Sequence, residues 1–115
     1  MTKDKEVWVW CEQRHGRIMD VSLELLGKGR ELADKLGAGL DAILFGDGVQ
    51  GIAGELLHYG VRKVYLLERP TLRLYEGNLY AKLLADAVKS YRPSLLLIGA
   101  TMLGRELSAA VAARL

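Results

Sequence analysis

Few residues in this chain are of kinds that do chemistry, and their spacing limits what they can do. Gly99 to Gly104, GATMLG, has the glycine spacing of a phosphate loop. Arg105 and Glu106 follow where a lysine and a serine or threonine would have to hold phosphate and magnesium, which excludes a nucleoside triphosphatase. Gly46 to Gly51, GDGVQG, satisfies the dinucleotide spacing literally. It follows the second apolar run, not the first, and lacks an acidic residue at ribose distance, so turn glycines explain it better. Cys11 and His15 could act as nucleophile and base. A cysteine closing a strand ordinarily packs, however, and nothing identifiable orients the histidine. His58, near the end of a helix, reads as a cation at the negative dipole end or as a surface residue. Two histidines at unrelated positions and one cysteine leave no metal site and no internal disulfide. Glu68, Arg69, Tyr75 and Glu76 could cluster beyond the third strand, with solvated loop charges as the plainer reading. No catalytic set emerges.

Arg105 is the side chain that stands out. It falls in the first turn of a helix whose dipole end has the same sign, so either an acidic partner offsets that cost or the guanidinium reaches solvent. With Gly99, Thr101 and Gly104 it makes the candidate switch-point loop, the edge of an open α/β sheet where ligands or partners sit.

The elements that must position this loop follow from periodicity. Glu6 to Cys11, EVWVWC, is the first strand, with Trp8 and Trp10 on one face. After the polar EQRHGRIM, Asp20 is the expected N-cap of a helix from Val21 to Leu36. That helix has a stripe of Ser22, Leu25, Leu26, Gly29, Leu32, Ala33 and Leu36, and Gly37 as its stop. Leu40 to Phe45 is nearly continuous in apolar character, as in a strand covered on both faces. A second helix carries Val49, Ile52, Ala53, Leu56 and Leu57 and stops at Gly60. Val61 to Leu67 is the third strand, and ERPTLRLYEGN a polar connection. The third helix carries Tyr80, Leu83, Leu84, Ala87, Val88 and Tyr91, and Pro93 ends it. Leu95 to Ile98 then meets Gly99 and Ala100, and helical spacing resumes with Leu103, Leu107, Ala110 and Val111. The expected fold is α/β: four βα units in an open, doubly wound parallel sheet, Rossmann-like and close to the adenine nucleotide alpha hydrolase and universal-stress folds.

The totals fit one domain. The chain has 115 residues, half of them apolar, enough for a core. Sixteen basic against 14 acidic residues leave a net charge of +2, which gives no footprint for nucleic acid and no polybasic membrane patch. No run reaches the length of a membrane span, and the charged opening MTKDKE is no apolar signal. The expectation is a cytoplasmic protein, or one of the mitochondrial matrix if eukaryotic. The apolar period continues to Leu115 without a helix stop, so a longer polypeptide is expected.

The tail LLLIGATMLGRELSAAVAARL resembles the electron transfer flavoprotein alpha subunit, whose N-terminal domain carries a similar IGAT, GR and VAARL segment. The resemblance extends to Cys11 and Glu12 at the end of the first strand, Phe45 and Gly46 at the end of the second, the KVYLLE strand, and Tyr75, Tyr80 and Ala81. Ala110 departs from it, since relatives often carry arginine there. The resemblance implies that residues 1–115 form an N-terminal α/β domain. A separate C-terminal domain would bind FAD, with no cofactor held by residues 1–115, and a beta subunit would be the partner. Electrons would pass from acyl-CoA and other dehydrogenases to a quinone reductase or another acceptor. The competing expectation is a stand-alone universal-stress-like protein binding ATP or AMP, which should show a Gly-Ser or Gly-Thr phosphate loop after the fourth strand.

Overall fold

The alternation in EVWVWC dictates a strand that must be covered twice. In the computed structural model, which describes residues 5–115, β1 (Glu6–Cys11) is buried along its whole length. Val7, Val9 and Cys11 face one core, and Trp8 and Trp10 face the other. A one-residue slip would exchange the two sets, so the pattern pins the register. The charged opening, residues 1–4, lies outside the described residues.

The segment after β1 departs from expectation. It forms a small antiparallel hairpin, β2 (Gln13–Arg14) and β3 (Arg17–Ile18). Its turn places His15 at φ 51° and Gly16 at φ 79°, the two positive angles that a tight hairpin requires. Asp20 is not the N-cap. Met19 occupies that position without a side-chain bond, and Asp20 opens α1 (Asp20–Leu36), where its charge still complements the dipole. Ser22, Leu26, Gly29 and Ala33 are the buried positions. Leu32 and Leu36, expected in the buried stripe, are instead exposed. Gly37 closes the helix at φ 63°.

Next come β4 (Gly39–Gly46), α2 (Gln50–Leu56) with a final tight turn to Tyr59, β5 (Lys63–Glu68), α3 (Gly77–Tyr91), β6 (Leu95–Ile98) and α4 (Met102–Arg114). The four main strands are parallel, in the order β5-β4-β1-β6. Residues of α1 and α2 pack on the Val7 face, and those of α3 and α4 on the tryptophan face. The sheet is therefore doubly wound, as expected. The polar connection after β5 also contains a short turn, Pro70–Leu72, that buries Leu72 completely.

The amino edge of the sheet carries two buried carboxylates. Arg62 holds Asp41 with two bonds of 3.2 and 3.0 Å. Glu6 accepts from Tyr65 at 2.5 Å and from Trp8 at 3.0 Å, with the Lys63 ammonium 3.6 Å away. Burial opposes ionisation of Glu6, but the two hydrogen bonds and then Lys63 outweigh it and hold the carboxyl at about 2. These groups lie at the opposite end of the strands from the switch-point loop.

Candidate functional site

At the carboxyl edge the chain turns from β6 into α4 within three residues. Thr101 is the N-cap, and its Oγ1 accepts the Gly104 N–H at 2.9 Å. The same hydroxyl donates to Glu12 Oε1 at 2.7 Å. Gly104 is buried, and a Cβ built on it would lie 1.9 Å from the Gly99 carbonyl oxygen, so only glycine lets the helix start this close to the strand end. Gly99 itself packs against Val21 of α1. Three of the four expected loop residues thus converge. Arg105 does not join them: it is exposed and makes no ion pair among the described residues, so the solvent reading is the one found.

The residue that organises the edge is Glu12. It is 2% exposed, and its backbone N–H donates to Ser22 Oγ at 2.8 Å. Arg14 approaches Oε2 at 3.3 Å. One buried carboxylate therefore ties the end of β1 to α1, to the hairpin and to the start of α4. Its place at the end of the first strand, noted above as part of the resemblance, is the one signal in the sequence that pointed to it.

The other candidates take separate tasks. Glu68 accepts the Val49 N–H at 2.7 Å and the Gln50 side chain at 2.8 Å, capping α2 from a neighbouring strand. The Val49 N–H at the GDGVQG turn is thereby used internally. Glu76 caps α3 through the N–H groups of Asn78 and Leu79. Tyr75 donates to Glu106 at 2.6 Å. Glu68, Arg69, Tyr75 and Glu76 therefore form no common cluster. Cys11 is buried, its thiol turns to the Val9 carbonyl, and burial pushes it up to about 12, whereas His15 sits exposed on the hairpin turn. They make no nucleophile and base pair. Among the described residues no group of His, Cys, Asp and Glu is placed to hold a metal, and no helix is long and apolar enough to cross a membrane.

Beside the Glu12 knot lies an open cleft of about 210 Å³, floored by Trp10, Phe45 and Tyr80 and rimmed by Arg14, Arg73 and Tyr75. The rings meet edge to face, Trp10 with Phe45 and Tyr80 at 6.3 Å and Tyr75 with Tyr80 at 5.0 Å. Leu74, also in the lining of the cleft, is 65% exposed.

The sequence pattern of the electron transfer flavoprotein domain matches residues 7–115. The chain belongs to that family. It is 39% identical over 115 residues to the electron transfer flavoprotein subunit alpha of Thermoanaerobacterium thermosaccharolyticum, covering all of this chain and 35% of that one. It is 45% identical over 111 residues to the same subunit of Clostridium acetobutylicum, covering 96% of this chain and 33% of that one. The acryloyl-CoA reductase electron transfer subunit beta of Anaerotignum propionicum is also 45% identical over 111 residues, 96% of this chain and 30% of that one. The alpha-subunit resemblance of the tail is thus borne out, and the chain spans about a third of the length of the curated relatives it matches.

An electron transfer flavoprotein implies FAD, and the edge can be tested against it. A pyrophosphate at a helix start needs free N–H groups. At α4 the Gly104 N–H is taken by Thr101, with the buried Glu12 carboxylate behind it, and at α2 the Val49 N–H is taken by Glu68. The Gly104 and Val49 donors are therefore not open to a pyrophosphate.

Proposed function

We propose that residues 1–115 are the N-terminal scaffold domain of an electron transfer flavoprotein alpha subunit. In this reading the domain holds a beta subunit and positions an FAD-binding region that other polypeptide supplies. The assembled carrier takes electrons from dehydrogenases, such as those acting on acyl-CoA, and hands them to a quinone reductase or another acceptor in the cytoplasm, or in the mitochondrial matrix of a eukaryote. The fragment contributes no catalytic residue.

The observation that carries this reading is the self-satisfied switch-point loop. Its helix start uses the Gly104 N–H on Thr101, whose hydroxyl is held by the buried Glu12, so that donor is closed to a phosphate. Gly99, Thr101 and Gly104 shape the docking loop, and Arg105, being exposed, is available to a partner's carboxylate.

The test is to purify the chain alone and the complete alpha subunit with its beta subunit, then denature each and read the supernatant. The reading expects flavin absorbance from the complete pair and neither flavin nor adenine absorbance from the chain alone. Stoichiometric flavin or adenylate released by the 115-residue chain would overturn it; adenylate alone would point to the universal-stress-like alternative.

A further inference from the structure

The sheet ends at β6 in a form that a free edge does not take. In the order β5-β4-β1-β6 both β5 and β6 are outer strands. β5 begins with Lys63 and closes with Glu68, charges of the kind that discourage further pairing. β6 is Leu95–Ile98, with neither a charged residue nor a proline. It pairs with β1 on one side, and the alternation of a strand turns every second N–H and C=O away from that partner, where the described sheet has no strand to receive them. Leu97 packs against the core on the Val7 side, and Leu96 and Ile98 against the one on the tryptophan side, so β6 is apolar on both faces. A groove of about 390 Å³ nevertheless opens along it, beside Val111 and Ala112 of α4, and Leu95 is 36% exposed. An all-apolar strand of a parallel sheet belongs in the interior of that sheet.

The direction of winding fixes what covers this edge. Helices α1 and α2 carry the chain from β1 to β4 and on to β5 over the Val7 face, and α3 carries it back across the sheet to β6 over the tryptophan face. The step reverses as the face reverses, so the three crossovers share one hand, as parallel units do in about 98% of cases. α4 also lies on the tryptophan face, through Leu107 and Val111. A strand that follows α4 with the same hand comes down on the far side of β6, parallel to it. We infer that the β6 edge is covered by the segment of the same polypeptide that follows Leu115 in the full-length subunit, added as a fifth parallel strand with apolar side chains on both faces. The sheet then continues before any flavin-binding region begins, and β6 becomes an interior strand. The relatives named above, about three times the length of this chain, leave ample polypeptide for it. Neither a beta subunit nor a second copy is called for by the face that α4 occupies. This inference rests on the N-terminal placement proposed above and is independent of the docking role.

The experiment uses the full-length alpha subunit in its flavin-loaded complex with the beta subunit of the same organism. Amide exchange is followed across Leu95–Ile98 in the unmodified complex. In separate preparations a photoreactive p-benzoylphenylalanine replaces Leu95 or the exposed Ala112, the complex is irradiated, and the cross-linked peptides are read by mass spectrometry. The expected results are β6 amides that exchange as slowly as those of β1, and cross-links from both positions to an alpha-subunit peptide beyond residue 115 of the same molecule. A cross-link to the beta subunit overturns the inference, as does one to a second copy in a mixture of isotopically light and heavy complexes. Cross-links confined to residues 1–115, or alternate β6 amides exchanging on the order of tenfold faster than those of β1, overturn it as well. Each of these results leaves the N-terminal placement standing; a mature subunit with the intact mass of these 115 residues alone would sink both.

Discussion

Replacing Thr101 by valine tests the knot at the carboxyl edge with almost no change of shape. The hydroxyl has two uses, accepting the Gly104 N–H and donating to Glu12 Oε1. Losing an N-cap acceptor costs about 1 kcal/mol. Losing a hydrogen bond to a buried carboxyl group costs about 1.5–3 kcal/mol, because Glu12 keeps only its contact with Arg14 on the other oxygen. Together these make roughly 3 kcal/mol, a large part of the stability of a small domain. With a urea slope of about 1.5 kcal/mol/M, the unfolding midpoint should fall by roughly 2 M. The assay is urea unfolding followed by far-ultraviolet circular dichroism, with Thr101→Ser as the control that restores both bonds. In a Glu12→Gln background the same Thr101→Val change should cost about 2 kcal/mol, the capping share plus a hydrogen bond to a neutral amide oxygen. A loss below about 0.5 kcal/mol in the parent, or a serine variant as damaged as the valine one, would refute the account.

Gly104→Ala should destabilise more than any other single alanine at this edge, because the new methyl meets backbone 1.9 Å away; Gly27→Ala, in an open stretch of α1, should instead be neutral or stabilise by up to about 1 kcal/mol, and thermal melts of the two separate the cases. Glu6→Gln addresses acid stability. The carboxyl sits at about 2 when folded against an ordinary 4.5, so its contribution is fully present above pH 4.5 and is lost as the pH falls toward 2. The variant should be less stable than the parent at pH 7 and show a flatter stability curve over that window; an unchanged acid limb would contradict the prediction. Cys11 should react with a thiol reagent at pH 8 only as fast as the chain opens, so labelling should accelerate with urea, and rapid labelling of the native protein would contradict its burial.

Much of the architecture was legible in the sequence because burial on two faces leaves a strong pattern. EVWVWC and LDAILF could hardly be anything but central strands, and Gly37 and Gly60 were readable as helix stops because both take left-handed angles, φ 63° and 78°. The misses share a cause. The hairpin after β1 uses strands of two residues, too short for an alternation, and its His15-Gly16 turn lacks the Asn-Gly or Asp-Gly signature. Asp41 was hidden inside an apolar run, since its partner Arg62 is 21 residues away. Leu72 read as loop because its burial depends on a turn made by the residues around it. At the site itself, Gly99, Thr101 and Gly104 were found by their types, but the double use of the Thr101 hydroxyl was not, since Glu12 lies 89 residues upstream. Local propensity carries no information about partners that distant.

Glu68 has a consequence for how the molecule folds. Helix α2 has seven residues, below the length at which an isolated helix persists in water, and the N–H of its N-cap residue Val49 is satisfied by a carboxylate that β5 delivers from 19 residues downstream. The helix therefore closes only once β5 has paired with β4, and the two elements must be gained and lost as one cooperative unit. Amide exchange in the first turn of α2 should then report the pairing of β5 rather than helix fraying, and cutting the tie with Glu68→Ala should raise exchange in α2 before it affects β1.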